Sequence, residues 1–269
     1  LLAGGATMND TRDFGWYYFS PENRAPAWSG VEFLYNFLTG APEYRQENGG
    51  QGPYAQPVTF AQGLREGDII QLANQAGDFY HTLIITGFDP FGGASINPAW
   101  EAVKLLPDTI ADFEVHKLEI PTVFGLAAET VIAKAEEVQP DVILCVGVAA
   151  GRDAVTPERI AVNIRDARIA DNAGNQPKGE FVAKEGPAAY FATVPVEKMA
   201  QAIRDRRIPA AVSNTAGTYV CNDVMYTALH RGKVPMAGFV HVPLLPPEAA
   251  KKGEEGMELP EILRGLTVA

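Results

Sequence analysis

FGLAAETVIAKAEEVQPDVILCVG, Phe124–Gly147, shows within one stretch both kinds of element from which the fold is built. Its first part, FGLAAETVIAKAEEV, repeats apolar residues at helical spacing, and its second, DVILCVG, is the short unbroken apolar run of a strand buried on both faces. The same alternation extends outward in both directions. Upstream, TLIITG (Thr82–Gly87) reads as a first strand, followed by a loop and a helix that Asn97 caps and Pro98 begins. EVHKLEI (Glu114–Ile120) alternates and reads as a half-exposed strand. Downstream, RIAVNI (Arg159–Ile164) reads as a further strand with polar alternation, and VEKMAQAIRD, IPAAVS, VCNDVMYTALH and AGFVHV continue helix, strand, helix, strand. This order predicts an α/β fold, a three-layer α/β/α domain around a mostly parallel sheet of about six strands with helices on both faces.

The sequence before His81 has a different texture. Residues 1–80 are irregular, aromatic-rich and turn-rich, with FGWYYF, PAWSGVEFLYNFL and ENGGQGPY, and read as a partial α+β N-terminal segment. One short helix is expected there after Ser29, with Val31, Phe33, Leu34 and Phe37 on its apolar face and Gly40 as its stop. GDIIQL (Gly67–Leu72) reads as a strand after a turn. The boundary between the two parts is expected near residue 80. The chain opens on Leu1 with no charged segment and apolar core ahead of the fold, and is expected to begin at a cut.

Composition narrows the function classes. The chain has 269 residues, 46% apolar and 20% charged, and no apolar run approaches the roughly 18 residues that cross a bilayer, so a soluble protein is expected, with no membrane partner. A formal charge of −11 disfavours nucleic acid, which needs a basic face to neutralise phosphates. Two cysteines, Cys145 and Cys221, are too few for a disulfide scaffold and suit a reducing, cytoplasmic compartment.

In open α/β sheets, functional groups collect in the loops beyond the carboxyl ends of the strands. That rule selects GFDPFGG after the first strand, GVAAGRDAVTPER after DVILCVG, SNTAGTYVC after IPAAV, and HVP at the end of AGFV. An unplaced cysteine is ordinarily a small buried side chain, and Cys145 inside VILCVG reads that way. Cys221 instead begins a helix, where unpaired N–H groups and the helix dipole favour a thiolate, and it needs a histidine partner. His116, within an alternating strand beside Lys117, and His230, ending a helix beside Arg231, read as surface groups. His241 ends an apolar strand at the rim where Cys221 is expected, so it is the candidate base. Glu158 in TPER is the candidate acid to orient the imidazole, with a surface pair to Arg159 as the ordinary alternative. GFDPFGG matches neither phosphate-loop pattern, and Phe88 and Phe91 suggest an apolar slot.

GFDPFGG…NP, TPERIAVN, ARIADNAGNQP, SNTAGTYVCN and GFVHVP, in this order, resemble pyroglutamyl peptidase I, also called pyrrolidone-carboxylate peptidase. The likeness covers about Thr82 to Val268. It implies a cysteine peptidase without cofactor or metal that removes N-terminal pyroglutamate from peptides, and a homo-oligomer, a tetramer. It implies Cys221 as nucleophile, His241 as base and Glu158 as orienting acid. It also implies a substrate set of Phe88, Phe91, Asn97, Thr122, Arg168, Ile169, Tyr219 and Val220. PEILRGL is expected to open a last helix that the end of the chain cuts short, and the alternative function is a disabled hybrid acting only as a peptide-binding module. Residues 1–80, with LLAGGATMND, GWYYF, AWSGVEFLYNFL, LREGDIIQL and FYHTLIIT, are similar to an amidase domain of bacterial proteins that resembles papain-like hydrolases. His81 matches that family's histidine, but residues 1–80 contain no cysteine, so a truncated, partly ordered segment without catalysis of its own is expected.

Overall fold

The computed structural model describes residues 81–111 and 113–269, and of the first eighty only the backbone of an antiparallel strand pair, β1 (Tyr18–Ser20) and β2 (Asn23–Arg24). The helix expected after Ser29 and the strand GDIIQL lie outside the described residues. The chain divides into two units, Leu1–Tyr80 and His81–Ala269.

The apolar runs of the second unit and the alternating segment EVHKLEI become the strands β3 (His81–Phe88), β5 (Phe113–Ile120), β6 (Val142–Val148) and β10 (Met236–Val242). They lie side by side and parallel in the order β5-β3-β6-β10. Two-residue antiparallel strands close the edges, β4 (Thr109–Ile110) against β5 and β7 (Thr156–Pro157) against β10, making six strands. Between them run α1 (Pro98–Val103), α2 (Leu126–Val138), α3 (Val196–Asp205), α4 (Val220–Arg231), α5 (Pro246–Ala250) and α6 (Leu259–Val268). Asn97 caps α1, its Oδ1 accepting the Ala99 N–H at 3.0 Å, with Pro98 first in the helix as its fixed φ allows.

Two expected strands differ. RIAVNI contributes only β8 (Ile160–Val162), which pairs with β9 (Ala189–Phe191) in a separate two-stranded sheet. The reason is local: β7 ends at Pro157, which cannot donate to a ladder, and the Asn222 side chain takes the Val162 backbone on its other edge, accepting from its N–H at 2.9 Å and donating to its C=O at 2.8 Å. IPAAVS forms no strand of the sheet and runs beside residues 155–159 through two isolated bridges, Val155 to Ala210 and Glu158 to Ser213.

The period-2 rule sorts the core into two layers. Ile85, Leu144, Val146, Val240 and Val242 face α1, α3 and α6, meeting Ala99, Ala102, Met199, Ile203, Ile262 and Leu266. Ile84, Ile143, Cys145 and Phe239 face α2 and α4, meeting Ala128, Val131, Val224 and Met225. Gly147 and His241 share the parity of Cys145 and Phe239, so both face α4. Gly87 is required because a Cβ there would lie 2.6 Å from the Trp100 Cα of α1. Within residues 81–269 the sheet begins at its centre with β3, moves outward to β5, and crosses back to β6. The loops therefore part at the carboxyl ends of β3 and β6, the place where α/β sheets open a crevice.

The last helix is an integral part of this core: Ile262 has no exposed surface. Ile262→Ala should cost about 3 kcal/mol in urea unfolding of the whole chain. A loss below about 0.5 kcal/mol, the size of an ordinary surface substitution, would be incompatible with this packing.

Candidate active site

β10 carries His241 to the carboxyl edge of the sheet, on the face that α4 covers. In register, His241 lies opposite Gly147 on β6 and Thr156 on β7. A Cβ on Gly147 would come within 3.1 Å of the Cys221 sulfur and 2.8 Å of the Phe239 ring, so the sulfur rests on the strand where only glycine leaves it room. Sulfur and imidazole are thus set on adjacent strand positions of one face. Among the described residues no hydrogen bond joins them, a looseness common in unliganded catalytic pairs.

The imidazole is held from its other side. His241 Nδ1 and Glu158 Oε1 are 2.7 Å apart, and Glu158 has no exposed surface. Two residues beyond β7's start, Glu158 is fixed by its backbone N–H donating to Phe239 O at 2.8 Å. The ordinary alternative for Glu158, a surface pair with Arg159, does not form: Arg159 turns outward to Glu197, at 3.0 Å. Arg152 meets Glu158 instead, its Nη1 donating to Oε1 at 2.6 Å. Sequence reasoning selects the loop GVAAGRDAVTPER but misses Arg152, whose only sequence signal is a lone cation in a loop at a strand's carboxyl end.

Charge states follow from these contacts. Burial works to raise the Glu158 carboxyl, but the hydrogen bond and charge of His241, with Arg152, outweigh it and hold the group below the usual carboxylate range. Burial lowers His241 below its ordinary value, and Arg152 adds to this, against the opposing pull of Glu158. Burial first, then the charge of Glu158, pushes the Cys221 thiol up to about 12. The amide N–H groups at the start of α4 favour a thiolate, whereas desolvation and the nearby carboxylate oppose it. Cys145 is also pushed up to about 12, by complete burial. An imidazole whose Nδ1 meets a carboxylate presents Nε2 as a proton acceptor.

Three walls stand beside this group. Phe88 is buried with its ring centroid 6.2 Å from that of Phe239, and Val220 is fully buried. Phe91 and Tyr219 pack at 5.5 Å, and Phe124 stands edge-on to Tyr219 at 5.1 Å. Asn97 uses both ends of its amide internally, donating to Asp89 O at 3.0 Å and capping α1, so it shapes the GFDPFGG loop. Arg168 and Ile169 lie on the outside of their loop, Ile169 more than half exposed. The next three residues brace the walls. Ala170 O accepts the Tyr219 hydroxyl at 3.0 Å, and Asp171 Oδ2 accepts the Phe124 N–H at 2.9 Å. Asn172 Nδ2 donates to Asp89 Oδ1 at 3.1 Å and Pro90 O at 2.9 Å, and its N–H reaches Thr122 O at 3.0 Å. A cavity of about 360 Å³ lies behind this brace, lined by Phe124, Arg165, Asn175, Gln176, Pro177 and Glu180, and not by Cys221 or His241. Among the described residues no cluster of His, Cys, Asp and Glu is arranged to hold a metal, and no helix is long and apolar enough to cross a membrane.

A family model described as pyroglutamyl peptidase matches residues 81–269. A model for an amidase domain matches residues 1–98, overlapping the first in β3 and the loop beyond it. The pyrrolidone-carboxylate peptidase of Levilactobacillus brevis is 53% identical over 192 residues, covering 70% of this chain and 94% of that protein. That of Clostridium perfringens is 49% identical over 192 residues, covering 70% and 90%. Among solved structures, pyroglutamyl peptidase I from Bacillus amyloliquefaciens superposes with a TM-score of 0.68 at 40% identity, covering 71% of this chain and 93% of that one. A mutant pyrrolidone carboxyl peptidase from the hyperthermophile Pyrococcus furiosus gives 0.66 at 41% identity, covering 70% and 95%.

The brace makes a local prediction. Asn172→Ala removes two hydrogen bonds worth about 1 kcal/mol each, so amide exchange at Thr122 and Phe124 should quicken about tenfold or more while Ile85 and Ile143 stay protected. Unchanged exchange at Thr122 and Phe124 would show that Asn172 holds nothing in place.

Proposed function

Since the chain belongs to the pyroglutamyl peptidase family and is a cysteine peptidase, we propose that it removes N-terminal pyroglutamate from peptides with Cys221 as nucleophile, His241 as base and Glu158 as the acid orienting the imidazole. One observation carries the assignment of roles: the 2.7 Å contact between His241 Nδ1 and the buried Glu158, on the strand face where the Cys221 sulfur lies over Gly147.

Pyroglutamate is a compact neutral lactam. Its site needs apolar walls and a few hydrogen-bonding groups, with no countercharge for an ammonium. In this reading Phe88, Phe91, Tyr219 and Val220 supply such walls, and Thr122, whose N–H and hydroxyl both donate to Asp89, holds the GFDPFGG loop beside them. Asn97 acts by shaping the loop, and Arg168 and Ile169 stand where the peptide beyond the ring leaves the pocket.

Because burial and Glu158 push the Cys221 thiol up, attack and deprotonation go together in this reading. His241 Nε2 takes the thiol proton as the sulfur bonds to the carbonyl carbon that follows the ring, and the carbonyl electron pair moves onto oxygen. The N–H groups at the start of α4, which precede its first intrahelical bond from Asp223 N–H to Tyr219 O, face the developing charge. Collapse breaks the C–N bond, and the imidazolium protonates the departing amine. Water, deprotonated by His241, then splits the thioester, releasing pyroglutamate and restoring the thiol. Glu158 stabilises the imidazolium in both halves and remains ionised.

The catalytic unit in this reading is residues 81–269, and residues 1–80 contribute no nucleophile of their own. Homo-oligomer formation and a cytoplasmic location belong to the same reading. Phe181 and Phe191, two-thirds exposed, supply apolar surface for self-association.

A pyroglutamyl conjugate of a fluorogenic amine tests the proposal. Cys221→Ala should lower release by at least about 10³-fold, while Cys145→Ala stays within about threefold of wild type. The sign of the pH dependence follows from His241. Its folded value is depressed, so the base is already neutral at pH 7, and kcat/KM should fall only as pH drops below the ordinary histidine value of 6.5. Release that survives Cys221→Ala, or a wild-type protein that binds the conjugate without cleaving it, would overturn the assignment.

A further inference from the structure

Arg152 has three anchors on two segments of chain. Its Nη1 donates to Glu158 Oε1 and to Thr156 Oγ1, each at 2.6 Å, and its Nη2 donates to Thr215 O at 3.1 Å, in the loop that leads into α4. Glu158 has an uneven share of donors. Oε1 receives both Arg152 Nη1 and His241 Nδ1, whereas Oε2 is buried without a hydrogen-bond partner among the described residues. The terminal torsion of a glutamate side chain is soft, so a carboxylate loaded on one oxygen keeps its orientation only if something fixes that oxygen. The guanidinium, tied at both ends, is the group that does so, and its planar fork suits the task better than a lysine ammonium.

We propose that Arg152 is a positioning residue for the reaction of Cys221 and His241: it fixes the shared oxygen of Glu158 against His241 Nδ1 and balances the carboxylate's charge beside the imidazole. This rests on the reading of the chain as a peptidase working through those two residues. The titratable groups acting on the pair are few: Glu158 just beyond β7 and Arg152 in the loop before it act on the imidazole and the thiol, and Cys145 on β6 acts on the thiol, while Asp223 on α4 is paired with Arg165 at 2.7 Å. Of these, Glu158 pulls the imidazole and the thiol upward, and Arg152 opposes it at both. Loss of the cation leaves Glu158 unopposed, so the imidazole stays protonated to higher pH and the thiol is harder to ionise. A residue that only supported the loop would leave the pH profile where it was.

Two readouts separate the proposal from the reading it rests on. Alkylation of Cys221 by iodoacetamide against pH, in a Cys145→Ala background, needs no peptide substrate; steady-state release from the pyroglutamyl conjugate gives kcat and KM. Arg152→Met should lower kcat about 10- to 100-fold with KM within about twofold, and move the acid limb of both profiles to higher pH. Arg152→Lys keeps the charge and loses the fork, so it should retain the wild-type acid limb while recovering only part of kcat. Equal kcat losses in both variants with unmoved acid limbs would overturn the proposal, as would wild-type kcat in either. If Arg152→Met fails to fold by circular dichroism, Arg152→Lys still decides: a wild-type kcat, or an acid limb displaced despite the retained charge, rules the proposal out. If wild-type protein releases no fluorophore, the peptidase reading fails, and the alkylation profiles still decide whether Arg152 tunes the Cys221–His241 pair.

Discussion

A carboxylate with no exposed surface must be answered by donors within hydrogen-bond reach, because an unpaired buried charge costs several kcal/mol. Glu158 is such a group, and its two donors, Arg152 and His241, set much of the surrounding geometry. β7 pairs antiparallel with the end of β10 and puts Thr156 opposite His241. The chain then delivers Glu158 beside the imidazole, its N–H anchored on Phe239 O. Arg152 closes the circuit by tying that carboxylate to the loop before α4, the helix that carries Cys221. A short edge strand, a strand end and a helix start are joined through a single carboxylate oxygen.

The substrate side has a comparable economy. Ala170, Asp171 and Asn172 each hold a different wall: Tyr219, the Phe124 segment, and the GFDPFGG loop together with Thr122. Segments that would otherwise move independently share one brace, which fixes Tyr219, the Phe124 segment and the GFDPFGG loop relative to one another. Gly147 has the matching role beneath the sulfur, where any side chain would push on Cys221 and Phe239.

Much of this is legible in the chain. Unbroken apolar runs identify three of the four parallel strands, because only strands buried on both faces dispense with alternation, and the alternation of EVHKLEI identifies the fourth, β5, on the outer side of β3. Their ends then mark one rim, where His241 and the start of α4 have to meet. What pattern alone does not supply is the neighbour of each segment. RIAVNI alternates like a sheet strand, yet Pro157 and the Asn222 side chain divert it, and IPAAVS is extended without joining the sheet. Arg152 stays hidden because its partners lie 4, 6 and 63 positions away, and only the fold brings them together. Glu158 and Arg159 are ambiguous as adjacent residues until strand alternation sends one inward and the other to Glu197. The protonation state of Cys221 escapes the sequence for a similar reason. A helix start can be seen in a sequence, whereas burial and the field of a carboxylate distant along the chain cannot.

Burial and the charge of Glu158 both push the Cys221 thiol up, and burial holds His241 below its ordinary value, so in the proposed reaction ionisation of the sulfur accompanies attack. Thiolate absorbance near 240 nm, recorded against pH for Cys145→Ala protein and corrected with the Cys145→Ala/Cys221→Ala double variant, reads this state without any substrate. No thiolate signal from Cys221 is expected up to about pH 9, beyond the ordinary range of a free cysteine. A full thiolate signal already present at pH 6 to 7 would refute that coupling of ionisation to attack.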